Sequence, residues 1–327
     1  MMNCLGCYTE SKEAYCLSCR KILFDKAKVS SLLAFDAPNI NNRDLFQEHS
    51  KRMSISGVQL KYSLHREKTS LILCEKDGHY LLKPVPPIRT LLYVNDVPEN
   101  EHLTMQMASQ VFQINTAANA LIYFRDKEPA YITRRFDVRN DGRKYQQEDF
   151  AQLTRRSKPT HGAAFKYNGT YEEIGLLIKQ YVGAARAVLE NFFKLIVFNY
   201  VISNGDAHLK NFSLIRRENG EYTLTPAYDL MSTVIHTPNE SDTALGLYEG
   251  DMDAPFYATY GCYGRSSFME LANRFGIVEA RALRIIDQFP AKEESMKTLI
   301  NASFLSEEVK KLYINNVKEK LKRIIAA

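Results

Sequence analysis

The sequence predicts an α+β chain of two lobes, a small antiparallel sheet with one helix followed by a mostly α-helical lobe. Three observations predict it. The 327 residues exceed one comfortable core. Between residues 53 and 136, short apolar runs alternate with turn residues at hairpin spacing. From Tyr171 onward, apolar residues recur at helical spacing. The boundaries read as a cysteine-rich segment and connector over 1–45, the small lobe over 46–136 and the helical lobe over 137–327.

Composition is that of an ordinary globular protein, 45% hydrophobic and 25% charged. Forty-three basic residues against 38 acidic ones give +5. This permits an acidic ligand without demanding one. The basic residues are scattered, so direct nucleic-acid binding is not expected. Residues 1–15 are polar and cysteine-rich, unlike a secretory signal. The apolar run 195–202 is too short to span a bilayer, so no membrane role is expected. Six cysteines without a signal argue against a disulfide framework, and the cytoplasm is the expected location.

The chain opens with two CxxC pairs, Cys4 with Cys7 and Cys16 with Cys19. Four sulfurs so spaced can close a tetrahedral structural Zn²⁺ site, although the loop between the pairs is short. A reduced, metal-free tail is the alternative. No βαβ pattern follows, which disfavours a thioredoxin-like role. Cys74 and Cys262 stand alone and read as core cysteines. Residues 21–52 form a mixed connector, broken at Pro38 and the Asn-rich 39–42.

In the small lobe, residues 53–63 read MSISGVQLKYS, a tight turn able to offer hydroxyls and backbone N–H groups to a phosphate. With one glycine and no GxGxxG, the residues alone favour a plain hairpin turn. Residues 71–74 and 80–83 flank Lys76-Asp77-Gly78, a hairpin signal, and Pro84, Pro86 and Pro87 stop the second strand. Lys83 ends that strand, where a lysine is either solvated or, in a kinase, the cation for the phosphates. A helix runs from Asn100 to Ser109, with Glu101 in its first turn. Residues 121–124 and 130–133 are two more strands, leading into Arg134-Arg135-Phe136-Asp137.

In the large lobe, residues 147–150 open a helical region. Residues 155–170 are polar, punctuated by Gly and Pro, and read as a connector or a contact for a protein substrate. Two helices fill 171–202 and split near Gly183. The second is apolar nearly all round and therefore buried. Residues 212–216 and 222–225 pair as a hairpin. Residues 237–266 are loop-rich, and 268–276, 278–288 and 306–325 are amphipathic helices.

Between these elements lies SNGDAHLKNFSL, residues 203–214, and then LTPAYDLMST, residues 224–233. Asp206 precedes Asn211 by five residues, and Asp229 follows. Phosphoryl transfer needs one carboxylate at the attacking hydroxyl and an amide oxygen with a second carboxylate on Mg²⁺. The interval and order equal those of a kinase catalytic loop. Turn chemistry at Asn204-Gly205-Asp206 explains part of the pattern equally well, and a metal-free pair of core carboxylates is another alternative.

The wording NGDAHLKNFSL followed by LTPAYDLMST resembles the HipA family of bacterial toxin Ser/Thr kinases, and within it the shorter HipT-like members, over roughly residues 45–327. The resemblance implies a protein-kinase-like two-lobed fold that uses ATP and Mg²⁺. It implies Asp206 as catalytic base, Asn211 and Asp229 as metal ligands, and His208 and Tyr228 near the nucleotide. MSISGVQLK resembles the family's phosphate-covering element, which carries over Ser54, Ser56, Gly57, Val58, Gln59 and Lys61. Ser54 and Ser56 would be autophosphorylated. YLLKP and the following helix resemble the family's Lys83–Glu101 pair. RRFD resembles its hinge, with Arg135 and Phe136 at the adenine.

The resemblance further implies a protein substrate, typically an aminoacyl-tRNA synthetase, and neutralisation by antitoxin proteins. HipA carries an extra amino-terminal subdomain, whereas here about fifty residues precede the serine loop. A separate HipS-like subunit beside a DNA-binding HipB-like repressor would fit that difference. The rival readings are a small-molecule phosphotransferase and a non-catalytic scaffold in a repressor complex.

Overall fold

A computed structural model describes residues 2–38, 60–75, 78–86, 91–139 and 141–326. A two-residue hairpin, β1 Met2–Asn3 and β2 Glu10–Ser11, precedes α1 Leu17–Phe24. The small lobe is a five-stranded antiparallel sheet: β3 Tyr62–Glu67, β4 Ser70–Leu73, β5 Tyr80–Pro84, β6 Asn119–Tyr123 and β7 Pro129–Arg134, in the order β4-β3-β5-β7-β6. This corrects the expected hairpin between residues 71–74 and 80–83. Both segments pair with β3, one on each side. The first hairpin turns instead at Lys68, which takes a left-handed φ of 52°. Pro84 is the last residue of β5, paired opposite Ala130.

Helix α2, Val97–Gln106, crosses this sheet. It starts three residues before the expected Asn100, because Pro98 suits a first turn, where an N–H has no intrahelical partner. All ten of its residues are buried. Asn100 fastens it to the other lobe, donating to the Ser232 carbonyl (2.9 Å) and accepting from Ser232 N (3.1 Å).

The amino-terminal segment shares the sheet's core. Leu5, Tyr15, Leu23 and Phe24 pack with Leu64, Leu82 and Ile122. Leu121 N donates to the Leu5 carbonyl, and Tyr15 Oη donates to the Leu121 carbonyl (2.8 Å). The outer edge of β6 is thereby covered rather than left as a pairing template.

In the large lobe, Gln147–Asp149 is a strand, β8, rather than the start of a helix; it pairs with β9 Ser213–Arg216, which pairs with β10 Tyr222–Leu224. The helix begins one residue later, α3 Phe150–Leu153, behind a capping box of Asp149 and Gln152. The stretch 155–170 contains a short helix, α4 Lys158–His161, and a 3₁₀ turn, Phe165–Tyr167. Helices α5 Tyr171–Tyr181 and α6 Ala185–Val201 follow as expected. The loop-rich stretch holds α7 Pro255–Tyr260. Helices α8 Arg265–Arg274, α9 Glu279–Ala291, α10 Glu293–Ala302 and α11 Glu307–Ile325 complete the lobe, α10 not having been foreseen. Among the described residues no helix is long and apolar enough to cross a membrane.

Candidate active site

The site is built where α6 ends. Residues 195–201 of that helix are all buried, so its carboxyl end is fixed. Ser203 then turns the chain with a left-handed φ of 56°. Asn204 Oδ1 accepts from Asp206 N (3.2 Å), an Asx turn. Gly205 N donates to Thr233 Oγ1 (2.8 Å). A Cβ on Gly205 would stand 2.6 Å from the Ser241 carbonyl oxygen, so only glycine fits this approach. Asp229, on the second loop, also takes a left-handed φ, 55°. Such non-glycine conformations persist where the surroundings over-determine them.

Asp206, Asn211 and Asp229 line one cavity of about 1240 Å³, together with Lys61, Lys83, Glu101, His208 and Tyr228. Ser54, Ser56, Gly57, Val58 and Gln59 lie outside the described residues. Lys83, 3% exposed, donates to both Glu101 and Asp229, and Lys61 Nζ donates to Asp229 Oδ2 at 3.2 Å. Two ammonium groups thus meet two carboxylates. Burial works against the Lys83 charge, but Asp229 and Glu101 outweigh it and hold its pKa above the usual lysine range. Burial likewise opposes the Asp229 charge, yet Lys61 and Lys83 hold its carboxyl well below the usual range.

Asp206 is held more loosely, with its side chain 46% exposed. Its Oδ1 accepts a hydrogen bond from Tyr167 Oη (2.5 Å) and lies 3.6 Å from Lys166 Nζ and 3.7 Å from His208 Nε2. Burial pushes the His208 pKa down to about 4, so the ring is neutral near pH 7. Asn211 Oδ1 accepts from His208 N (3.2 Å). Tyr228 Oη is hydrogen-bonded to Ser213 Oγ (2.7 Å) and donates to the Lys210 carbonyl (2.9 Å). Arg135 and Phe136 line a second cavity of about 530 Å³, where Asp137 engages the Arg135 guanidinium. The Phe136 ring packs 5.6 Å from that of Tyr228.

Lys166, Tyr167 and Glu240 also line the main cavity, and sequence reasoning gave them no role. Glu240 accepts from Gly205 N (3.3 Å) and Thr237 Oγ1 (2.8 Å), and burial raises its pKa. The one sequence signal for the turn was Phe165-Lys166-Tyr167 itself, two aromatics inside a polar stretch.

The residues present fit a hard divalent cation with a polyphosphate. Asn211 and Asp229 offer oxygen donors to one space, and Lys61 and Lys83 place positive charge beside them. His208 Nδ1, buried in the same wall, has no hydrogen-bond partner among the described residues. The four sulfurs of Cys4, Cys7, Cys16 and Cys19 form a separate cluster, all within 4.8 Å of one another and none in a disulfide. Around a zinc ion with bonds of about 2.3 Å, sulfurs at tetrahedral corners stand roughly 3.8 Å apart. Cys7 and Cys16 Sγ are 3.7 Å apart. Cys16 N and Gly6 N both donate to Cys4 Sγ, at 3.1 and 3.4 Å.

The family model described as the HipA-like C-terminal domain matches residues 53–296. A Haemophilus influenzae protein named "Putative kinase" is 28% identical over 267 residues, 77% of this chain and 76% of that protein. "Putative kinase Y4dM" of Sinorhizobium fredii is 30% identical over 229 residues, 65% of this chain and 53% of its own length. Among solved structures, the chain is similar to one from the Shewanella oneidensis toxin–antitoxin complex of HipA, HipB and operator DNA (TM-score 0.62, 18% identity, 83% of this chain and 64% of that one). It is also similar to the Helicobacter pylori proinflammatory kinase CtkA (TM-score 0.51, 14% identity, 82% and 91%). The likeness to both is one of fold, a kinase-like arrangement of small sheet and helical lobe. With three quarters of its length matched by one family model, the chain belongs to the HipA-like C-terminal domain family.

Proposed function

We propose that this protein is a Mg²⁺- and ATP-dependent serine/threonine kinase of the toxin type. The observation that carries the reading is the meeting of Asp206, Asn211 and Asp229 with the Lys83–Glu101 pair in one cleft. Asp206 orients the acceptor hydroxyl and takes its proton. Asn211 and Asp229 would hold Mg²⁺, with Lys61 and Lys83 at the phosphates and Glu101 fixing Lys83. Bound there, magnesium ATP supplies the phosphoryl group and neutralises charge during its transfer. His208, Tyr228 and the Arg135–Phe136 backbone are the nucleotide's further neighbours in this reading.

A host translation protein, such as an aminoacyl-tRNA synthetase, is the proposed substrate, and Ser54 and Ser56 the proposed autophosphorylation sites. A phosphate on either serine would add nearly two negative charges where those of ATP belong, and so restrain the enzyme. The solved neighbour with HipB and operator DNA supports a DNA-binding antitoxin as partner. A small HipS-like subunit is the second proposed partner, the cytoplasm the proposed location, and Zn²⁺ the proposed metal of the cysteine cluster.

Mass spectrometry of the protein incubated with Mg²⁺ and ATP tests the reading. Phosphate on Ser54 or Ser56 in the wild type, and none in Asp206→Ala, is expected. Equal labelling of the two would overturn the role of Asp206, and a phosphorylated metabolite with an unlabelled chain would favour a small-molecule phosphotransferase.

A further inference from the structure

We infer that the 3₁₀ turn Phe165–Tyr167 completes the catalytic centre, Lys166 as a catalytic residue and Tyr167 as a residue that positions Asp206. The inference rests on the kinase reading above and adds a cation to it. Among the described residues, four lysines line the main cavity. Lys61 and Lys83 are engaged by Asp229, and Lys210, the lysine of the catalytic loop itself, stands 3.3 Å from Asp149. Lys166 is the one beside Asp206, 3.6 Å from Oδ1.

The turn is well mounted for this. Phe165 anchors it in the large-lobe core, and Tyr167 N donates to the Ala164 carbonyl at 2.8 Å. Lys166, its side chain only 14% exposed, lies over the Tyr167 ring, 4.7 Å from the centroid. Tyr167 in turn packs edge-on against His208 (5.3 Å) and donates to Asp206 Oδ1. Both Lys166 and Tyr167 address the same carboxylate oxygen. Among the described residues, no hydrogen bond reaches Oδ2, which remains for the acceptor.

The acceptor oxygen forms a bond to the γ-phosphorus, the bond from that phosphorus to the bridging oxygen breaks, and ADP leaves with the electron pair. The acceptor proton passes to Asp206 Oδ2. As Asp206 loses its charge, Lys166 loses its partner and its ammonium turns to the phosphoryl oxygens in flight. Charge is thereby compensated on the acceptor side of the transfer, opposite Lys83.

The full chain is assayed with Mg²⁺ and ATP for slow hydrolysis to water and for label entering the chain, with binding of a non-hydrolysable ATP analogue measured beside it. Lys166→Met is expected to lower kcat by about 10²-fold or more while analogue affinity and melting temperature hold. Lys166→Arg is expected to recover at least about a tenth of the wild-type rate, and Tyr167→Phe to lose roughly tenfold in kcat with KM for ATP unchanged. A Lys166→Met rate within twofold of wild type overturns the inference and leaves the kinase reading standing. An arginine variant as slow as the methionine one, or a loss confined to ATP affinity, overturns it too. A wild type without turnover by either readout overturns both.

Discussion

The two walls of the cleft are built on opposite plans. On the small-lobe side, Lys83 and Glu101 are almost wholly buried, and each charge has a partner. The helix carrying Glu101 is fastened by Asn100 to Ser232, by Thr104 to Tyr313 (2.9 Å) and by His102 to Tyr8 (2.7 Å). On the large-lobe side, Asp206 is half exposed, and among the described residues its side chain accepts a hydrogen bond at one oxygen, Oδ1. The difference fits the division of roles proposed above. A phosphate-binding wall gains from charges fixed in advance. A wall that must admit a protein hydroxyl has to leave its base accessible.

That contrast can be broken most forcefully at Lys83. Replacing it with Met leaves Glu101 buried without its cation, and a loss of about 3–5 kcal/mol is expected in chemical denaturation. Asp206→Ala, on the accessible wall, is expected to change stability by no more than about 0.5 kcal/mol. Equal losses at the two positions would erase the distinction.

The cysteine cluster sharpens the same contrast, because it braces the small-lobe wall. Tyr8 follows Cys7 directly and is hydrogen-bonded to His102, the neighbour of Glu101. Wild-type protein is expected to hold one zinc per chain, and Cys4→Ser to lose it together with roughly 2 kcal/mol or more of stability. Elemental analysis and a melting curve check both. Gly205→Ala should cost about 1–3 kcal/mol, since the added methyl meets the backbone oxygen of Ser241, which can yield only if the loop moves.

A pH dependence is a further test. The His208 pKa falls from 6.5 unfolded to about 4 folded. Between these values the unfolded chain binds the extra proton, so the group's contribution is full above pH 6.5 and is lost as pH falls through about 4. His208→Gln should therefore flatten the acid side of the stability curve by about 1.4 kcal/mol per pH unit in that window. Glu99 has the opposite sign. Burial raises its pKa to about 8, so Glu99→Gln should remove a stability loss that develops as pH rises from 4.5 to 8.

The sequence was legible where chemistry is local. Asp206, Asn211 and Asp229 lie on two loops joined by a short hairpin, so their meeting follows from nearby turns. Lys83 and Glu101 also meet, one near a strand end and the other in a helix's first turns. Long-range order was not legible. Lys76-Asp77-Gly78 carries the stronger turn signal, yet β3 separates the strands that flank it. Residues 147–149 have little strand propensity and become a strand because β9 offers them an edge. Lys166 and Tyr167 reach Asp206 across 40 and 39 positions of chain through the packing of Phe165, which no local pattern announces.

The central claim is that Asn211 and Asp229 hold a divalent cation on a nucleotide's phosphates while Asp206 stands apart for the acceptor. Calorimetric titration with a non-hydrolysable ATP analogue, with and without Mg²⁺, tests it most directly. Wild type and Asp206→Ala should bind the analogue at least about tenfold more tightly with the metal present. Asp229→Ala and Asn211→Ala should lose that enhancement. Wild-type binding indifferent to Mg²⁺, or an enhancement that survives in Asp229→Ala, would contradict the account.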